Sequence, residues 1–211
     1  MNRRRLAATA VAAFAVTCLA LSGCASAAPP ASSADAAPRL GEVSPGLPDG
    51  EVVGQGMVLG DGEDGAQLCL GPVAESAPPQ CAGIPLVGWS WEGLDGFETT
   101  GGVKWGSYAV QGTYDGTSFT VTQPPIMLAL YDPMAPADPT GGEPGAGAED
   151  ELLAIQEELP DRLRDAYFAS YPQDGWLFVD VLWDDGTWQD AADGEFGADT
   201  VIIRSALREI G

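Results

Sequence analysis

Short apolar runs and a proline-rich loop alternate in the stretch Ala66-Gln67-Leu68-Cys69-Leu70-Gly71-Pro72-Val73-Ala74-Glu75-Ser76-Ala77-Pro78-Pro79-Gln80-Cys81-Ala82-Gly83-Ile84-Pro85-Leu86-Val87-Gly88-Trp89-Ser90-Trp91. Cys69 and Cys81 frame the loop, with eleven residues between them, three of which are prolines. Proline restricts the backbone and so reduces the freedom that the loop loses when its ends meet. The stretch therefore predicts a strand, a closed loop and a second strand.

The cysteine pair has three interpretations: a disulfide, half of a metal site, or a redox-active pair. The chain has four Cys and no His, so a zinc site at Cys69 and Cys81 would lack ligands. The leader described below indicates export, and pairs in exported chains usually oxidise. We predict a structural disulfide, which stabilises the fold by about 3 kcal/mol in the chain-entropy picture. A redox-active pair is the alternative, at a spacing far from Cys-x-x-Cys.

The N-terminus has the order of a bacterial lipoprotein signal. Arg3, Arg4 and Arg5 precede the apolar run Leu6–Leu21, which is too short for a stable membrane-spanning helix. The run ends in Leu21-Ser22-Gly23-Cys24, which resembles a lipobox and implies cleavage before Cys24 and lipidation of its thiol. We therefore predict a signal peptide at 1–23 and a lipid anchor that holds the protein on the cell membrane, facing outside the cytoplasm. An ordinary secretory signal with an incidental cysteine is the alternative.

The chain is strongly acidic, with a formal net charge of −22. This charge argues against nucleic acid and anionic lipid surfaces as partners of the folded part. It is compatible with a cationic partner and with simple solubility at a charged cell surface. Residues 24–47 are rich in Ala, Pro and Ser, a composition that predicts a disordered tether.

Residues 48–131 alternate short β-runs with turn residues, and we predict an all-β domain there. The clearest hairpin runs from Ser107 to Thr122, with Asp115-Gly116 at its turn. About five short strands of this kind indicate an OB-like small barrel or a sandwich. Residues 132–149 are rich in Pro and Gly, and we predict a linker and domain boundary there.

The spacing of the apolar residues changes in residues 150–211, for which we predict a small α+β domain. Leu152, Ile155, Leu159 and Leu163 recur at three and four positions, which marks one apolar helix face, with a kink or break expected at Pro160. The pattern then predicts three antiparallel strands, Trp176–Trp183, Trp188–Ala191 and Val201–Arg208. The first two form a hairpin that places Trp183 opposite Trp188. The fold class predicted for the whole chain is α+β.

Two sets of residues are candidate sites. Acidic residues crowd the predicted hairpin and suggest either a carboxylate-dependent hydrolase acting on cell-wall material or solvated turn acids: Asp180, Asp184, Asp185, Asp190, Asp193 and Glu195. Their spacing departs from the EF-hand pattern. The chain has no His to activate a nucleophile, and we predict no catalytic residue, metal or cofactor.

The second set is aromatic: Trp89, Trp91, Trp105 and Tyr108. Aromatic residues at strand parity form either a core or a shallow platform that binds sugar rings or partner segments. We predict ligand binding at these four residues, with a core role as the alternative.

The lipobox, the segment from Leu68 to the Pro78-Pro79-Gln80-Cys81 loop, and Tyr108–Thr122 resemble small uncharacterised lipoproteins of high-GC Gram-positive (actinobacterial) cell envelopes. The end of the chain, from Asp184 to Arg208, is similar to the end of the same proteins. This resemblance implies surface anchoring and carries no established activity. We therefore expect a lipid-anchored envelope protein that serves as a non-catalytic binding module, with an envelope protein or a glycan as partner. A purely structural spacer is a further alternative.

Overall fold

Alternating apolar residues and glycine-containing turns build a barrel from the strands that follow residue 51. The computed structural model describes residues 37–60, 65–132 and 138–210. The strands of this part, in chain order, are β1 (Val52–Gly60), β2 (Ala66–Cys69), β3 (Ile84–Val87), β4 (Phe97–Thr100), β5 (Val103–Tyr114), β6 (Phe119–Val121) and β7 (Ile126–Met127).

Five of these strands close into a ring. β1 pairs antiparallel with β2 and β5, β2 pairs antiparallel with β3, and β6 pairs antiparallel with β5. β3 and β6 run parallel, which closes the ring in the order β1-β2-β3-β6-β5. β4 and β7 add to β5 outside the ring. The predicted barrel is therefore present as a five-stranded mixed barrel.

The barrel interior is filled by the residues of one parity on each strand, as expected for strands with one buried face. The core comprises Val52, Val58, Ala66, Leu68, Leu86, Trp91, Tyr108, Val110, Phe119 and Leu207. Gly112 on β5 allows a close approach to β6, because a Cβ at this position would collide with the backbone carbonyl of Thr120. A side chain here would push the two strands apart.

The predicted disulfide is confirmed. Cys69, at the end of β2, is bonded to Cys81, and their Cα atoms lie 6.0 Å apart. Within the loop the backbone N–H of Ala74 donates to the carbonyl of Gln80 at 2.8 Å. The loop is thus closed both covalently and by its own backbone.

The second half contains the predicted helix and a three-stranded sheet. Its elements are α1 (Glu149–Leu163), β8 (Tyr167–Gln173), β9 (Trp176–Val181), α2 (Thr187–Phe196), β10 (Val201–Ser205) and β11 (Leu207–Glu209). Two short 3-10 turns, at Leu128–Leu130 and Arg164–Ala166, complete the chain order. α1 runs through Pro160 to Leu163, so the helix is not divided there. The α+β class is confirmed.

The prediction of an antiparallel three-stranded sheet was wrong in one strand and one pairing, because β8, which was not predicted, takes the place of the predicted strand Trp188–Ala191. β9 pairs antiparallel with β8 but parallel with β10, because α2 connects β9 to β10. Residues 188–191, predicted as the return strand, belong to α2, so Trp188 does not lie opposite Trp183 on a neighbouring strand. The carboxylate of Asp184 accepts the backbone N–H groups of Trp188 (2.9 Å) and Gln189 (3.2 Å). The carboxylate of this turn thus binds N–H groups in the first turn of α2, which have no backbone acceptor within the helix.

The predicted last strand, Val201–Arg208, is divided between two sheets. Val201–Ser205 forms β10, whereas Leu207–Glu209 forms β11 and pairs antiparallel with Val52–Gly54 of β1. Leu207 consequently lies in the barrel core. The domain boundary predicted at 132–149 stays a prediction, although β11 joins the sheet of the first half.

Residues 37–47, here called the strap, pack on the second half of the chain. Leu40 is 1% exposed and lies in the core formed by α1, α2 and the three-stranded sheet. The indole N–H groups of Trp188 and Trp183 donate to the strap carbonyls of Val43 (2.8 Å) and Gly46 (2.9 Å). Leu40 and Val43 thus pack on the second half, whereas most other strap residues are exposed. The disordered tether predicted at 24–47 stays a prediction. Residues 24–36 and the lipidation site Cys24 lie outside the described residues.

Candidate functional site

A cavity of about 880 Å³, here called the cleft, lies beside the three-stranded sheet. The sheet contributes Phe168, Asp180, Ile202 and Arg204, and the segment that follows β2 contributes Leu70 and Pro72. The cleft thus brings together residues from both halves of the chain, next to the disulfide-closed loop.

Strand alternation explains why this face of the sheet is available. Leu177, Val179 and Val181 on β9 point toward the helices and are buried in the core. The intervening residues Phe178 and Asp180 therefore point to the opposite face. The parallel register places Ile202 beside Phe178 and Arg204 beside Asp180. One sheet face thus carries a mixed apolar and charged surface.

Arg204 is the centre of this surface. Its Nε donates to Asp180 Oδ1 at 2.8 Å, and its Nη2 lies 2.6 Å from the same oxygen. The guanidinium carbon lies 5.1 Å from the ring centroid of Tyr171 and 5.2 Å from that of Phe178. These two rings are stacked at 5.4 Å with an interplanar angle of 24°. Ion pairing and cation–π contacts together hold the guanidinium in place.

The charge of the cleft differs from that of the chain. The chain has nine basic residues against 31 acidic ones, and two of the nine, Arg204 and Arg208, line the cleft together with one carboxylate, Asp180. The side chains of Arg204 and Asp180 are 37% and 33% exposed, so both are accessible to a solute. The lining of the cleft thus contains more basic than acidic side chains, unlike the chain as a whole.

Three of the four predicted aromatic site residues lie together in the barrel core. The ring centroids of Trp89 and Trp91 are 5.2 Å apart, and that of Trp89 lies 5.4 Å from that of Tyr108. The Tyr108 hydroxyl donates to the carbonyl of Asp95 at 2.7 Å, and burial raises the pKa of this phenol. The indole N–H groups of Trp89 and Trp91 are buried and have no acceptor among the described residues.

Trp105 does not share this cluster's side of the barrel. It lies three positions before Tyr108 on β5, and residues three apart on a strand face opposite sides. It pairs with Leu59 of β1 and Glu98 of β4. The four residues therefore do not form one platform, and ligand binding at them stays a prediction.

Five of the six candidate acids make structural contacts rather than converging. Asp180 pairs with Arg204, Asp184 accepts the first N–H groups of α2, and Asp185 accepts the N–H groups of Thr187 (3.0 Å) and Gly46 (2.8 Å). The remaining two contacts are those of Asp193 with Gln189 and Glu195 with Arg162. Over the ranges that the structure describes, no group of three or more His, Cys, Asp or Glu is placed to hold a metal ion.

The neighbouring acids Asp184 and Asp185 have opposite pKa shifts. Burial raises the pKa of Asp184, although the N–H donors of α2 act against this effect. The side chain and N–H of Thr187, with the N–H of Gly46, lower the pKa of the exposed Asp185. Both carboxylates are thus bound into the start of α2 and its contact with the strap.

Arg204, which lines the cleft, and its two ring partners Tyr171 and Phe178 were absent from the sequence-based candidates. The sequence feature that could have identified Arg204 is the alternation of side chains along a strand. Because Val201 and Ile203 lie on the core face, Ile202 and Arg204 must lie on the opposite face. Pairing Arg204 with Asp180 required the parallel register of β9 and β10, which the hairpin prediction excluded.

Neither helix in the described part of the chain is long and apolar enough to cross a membrane. Comparison of the chain with protein-family models, with curated proteins and with solved structures found no match.

Proposed function

We propose that the protein is a lipid-anchored binding module of the cell envelope, and that its folded part binds a ligand in the cleft. One observation carries the binding role: an accessible ion pair stacked on aromatic rings lies at a cavity of about 880 Å³. Small-molecule sites are typically concave, largely apolar and oriented by a few polar groups. The contacts of the candidate acids favour a non-catalytic role, because these acids hold the fold together.

The anchoring role rests on the N-terminal sequence. The lipobox-like Leu21-Ser22-Gly23-Cys24 follows a basic and an apolar segment, the order of a lipoprotein signal. Membership of the small actinobacterial lipoproteins is part of this proposal. If the protein is anchored in the cell envelope, its ligand is expected among the compounds of the envelope.

The barrel is, in this proposal, of the OB type. An OB-fold is a five-stranded Greek-key barrel. The ring order β1-β2-β3-β6-β5, with its last two strands exchanged relative to the chain order, supports this assignment. So does the parallel pairing of β3 with β6. Function does not follow from this type of fold, and the binding role is argued from the cleft alone.

Capture from an envelope extract tests the binding role. The part from residue 37 onward forms one compact unit, so residues 25–211 immobilised on a resin carry all of it. The matched control is Ala169→Trp, which fills the cleft beside Asp180. A compound enriched on the native bait and not on the control bait supports the proposal. Equal enrichment on two folded baits contradicts it.

Cys24→Ala tests the anchor. Cells that express the native chain and are fed labelled palmitate should yield a labelled, membrane-bound protein, and the variant should be unlabelled. Labelling of the variant at the native level would show that the lipid is attached elsewhere or that the lipobox is not used.

A further inference from the structure

We infer that the ligand of the cleft is a small amphiphilic anion, whose acidic group pairs with Arg204 and whose apolar body lies along the sheet face. This inference rests on the proposed binding role and adds the chemical class of the ligand. It has two independent parts, one concerning the charge and one concerning the apolar surface.

Arg204 has N–H donors beyond those that bind Asp180. A guanidinium group has five N–H donors in a planar fork. Asp180 Oδ1 engages Nε and Nη2, so Nη1 takes no part in this ion pair. The contacts of Arg204 with the rings of Tyr171 and Phe178 restrict the movement of the guanidinium. A fixed guanidinium edge suits the two oxygens of a carboxylate, sulfonate or phosphate ester.

The charged side chains that line the cleft are more often basic than acidic. Arg208 lines the same cleft, whereas Asp180 is its one carboxylate among the described residues. Elsewhere the chain is strongly acidic, so its overall field repels anions and a highly charged ligand would be disfavoured. A ligand with a single acidic group is attracted by the nearby guanidinium of Arg204. It is repelled by the net negative charge of the protein less than a ligand with several such groups would be.

The rest of the cleft is largely apolar. The apolar residues of its lining include Phe168, Ile202, Leu70 and Pro72. A ligand body placed there removes apolar surface from water, which favours binding. The volume of about 880 Å³ lies within the range of roughly 300–1,000 Å³ that is usual for small-molecule sites. An apolar group of one or two rings, or a medium-length alkyl chain, fits this space.

Two fluorescent probes separate the charge from the apolar body. 1-Anilinonaphthalene-8-sulfonate carries one sulfonate, and N-phenyl-1-naphthylamine has the same rings without it. Titration of residues 25–211 should show saturable one-to-one binding of the sulfonate probe, at least tenfold tighter than that of the neutral probe. Ala169→Trp should weaken both probes, which locates them in the cleft.

The paired variant Arg204→Gln/Asp180→Asn tests the role of the guanidinium without leaving a carboxylate unpaired. We expect it to reduce affinity for the sulfonate probe tenfold or more and to leave the neutral probe unchanged. Arg39→Gln, an exposed arginine outside the cleft, is the matched control and should change neither affinity. Thermal unfolding checks that every variant is folded.

The outcomes distinguish the two proposals. Equal affinity of the native protein for the two probes, or a paired variant that keeps the preference for the sulfonate, overturns the anion inference and leaves a binding cleft for neutral apolar ligands. Binding of neither probe to folded native protein overturns the inference and counts against the cleft as a binding site.

Discussion

The side-chain carbonyl of Gln189 accepts a hydrogen bond from the backbone N–H of Ile203 at 2.8 Å. The amide nitrogen of the same side chain donates to the carbonyl of Val201 at 2.9 Å. One glutamine on α2 thus bonds the outer edge of β10 in the way a neighbouring strand would. An unpaired strand edge is a template for other chains, and Gln189 occupies part of this one.

Gln189→Leu should destabilise the protein by about 1–3 kcal/mol, because it leaves an N–H and a carbonyl of β10 without these partners. Urea unfolding of the native and variant proteins measures the difference. The matched control is Gln173→Leu, at an exposed position in the β8–β9 hairpin, where we expect a change within about 0.5 kcal/mol. Equal effects of the two substitutions would show that the edge contacts of Gln189 contribute no stability.

The raised pKa of Asp184 predicts a loss of stability with increasing pH. Burial raises this pKa above its ordinary value of 3.8, so the folded protein keeps the proton to a higher pH than the unfolded chain does. As the pH rises from below 3.8 through the folded pKa, ionisation of Asp184 therefore lowers the free energy of unfolding. The native protein should lose stability relative to Asp184→Asn over this interval, as measured by urea unfolding at a series of pH values.

Asp185→Asn should give the opposite slope. Hydrogen bonds from Thr187 and Gly46 hold the pKa of Asp185 below 3.8. The stabilising effect of its carboxylate is present above 3.8 and is lost as the pH falls through the folded pKa. The native protein should therefore lose stability relative to Asp185→Asn on acidification. Parallel pH dependences for the two variants would contradict both assignments.

Leu40→Ala should cost about 2–5 kcal/mol, as is usual for a fully buried leucine. Leu40 is 1% exposed in the core of the second half. Leu47, at the end of the strap, is 55% exposed and provides the same substitution as a control, with little expected effect. Denaturant unfolding compares the two variants. A Leu40→Ala protein as stable as the control would mean that the strap does not belong to the folded core in solution.

The disulfide should contribute about 3 kcal/mol, since it closes a loop with a sequence separation of 12. The double variant Cys69→Ala/Cys81→Ala should lose this amount, and dithiothreitol should produce a similar loss in the native protein. Dithiothreitol should have no effect on the double variant, which separates the reduction of this bond from other effects of the reagent. Native stability that is insensitive to the reagent, with reduction verified by mass spectrometry, would count against the prediction.

Local sequence signals predicted those parts of the fold that depend on near neighbours. Asp115-Gly116 predicted the β5–β6 turn, in which Asp115 Oδ1 accepts the N–H groups of Thr117 and Ser118. Leu152, Leu159 and Leu163 predicted the buried face of α1. In both cases the structure depends on residues that are only a few positions apart, so it can be predicted from the local sequence.

The Asp184–Thr187 segment shows why the second sheet was harder to predict. Asp, Gly and Thr are favoured both in hairpin turns and at the starts of helices. The choice between the two depends on Trp188, whose burial against Val43 of the strap favours the helix. Trp188 and Val43 are 145 positions apart in the sequence, so no local pattern predicts their contact. The cleft was hard to predict for the same reason. Asp180 and Arg204 are neighbours only because α2 connects β9 to β10 and the two strands run parallel.

The pairing of β11 with β1 has a consequence for the order in which the chain folds. Val52–Gly54 is synthesised before the rest of the barrel, whereas its partner Leu207–Glu209 is synthesised after both the barrel strands and the second sheet. Until then this half of the β1 edge is open to pairing with other chains. Contacts between such distant segments also slow folding, because a long loop must close first. The five-stranded ring can therefore close before β11 is available, but this half of the β1 edge and the place of Leu207 in the barrel core are filled only when Leu207–Glu209 arrives.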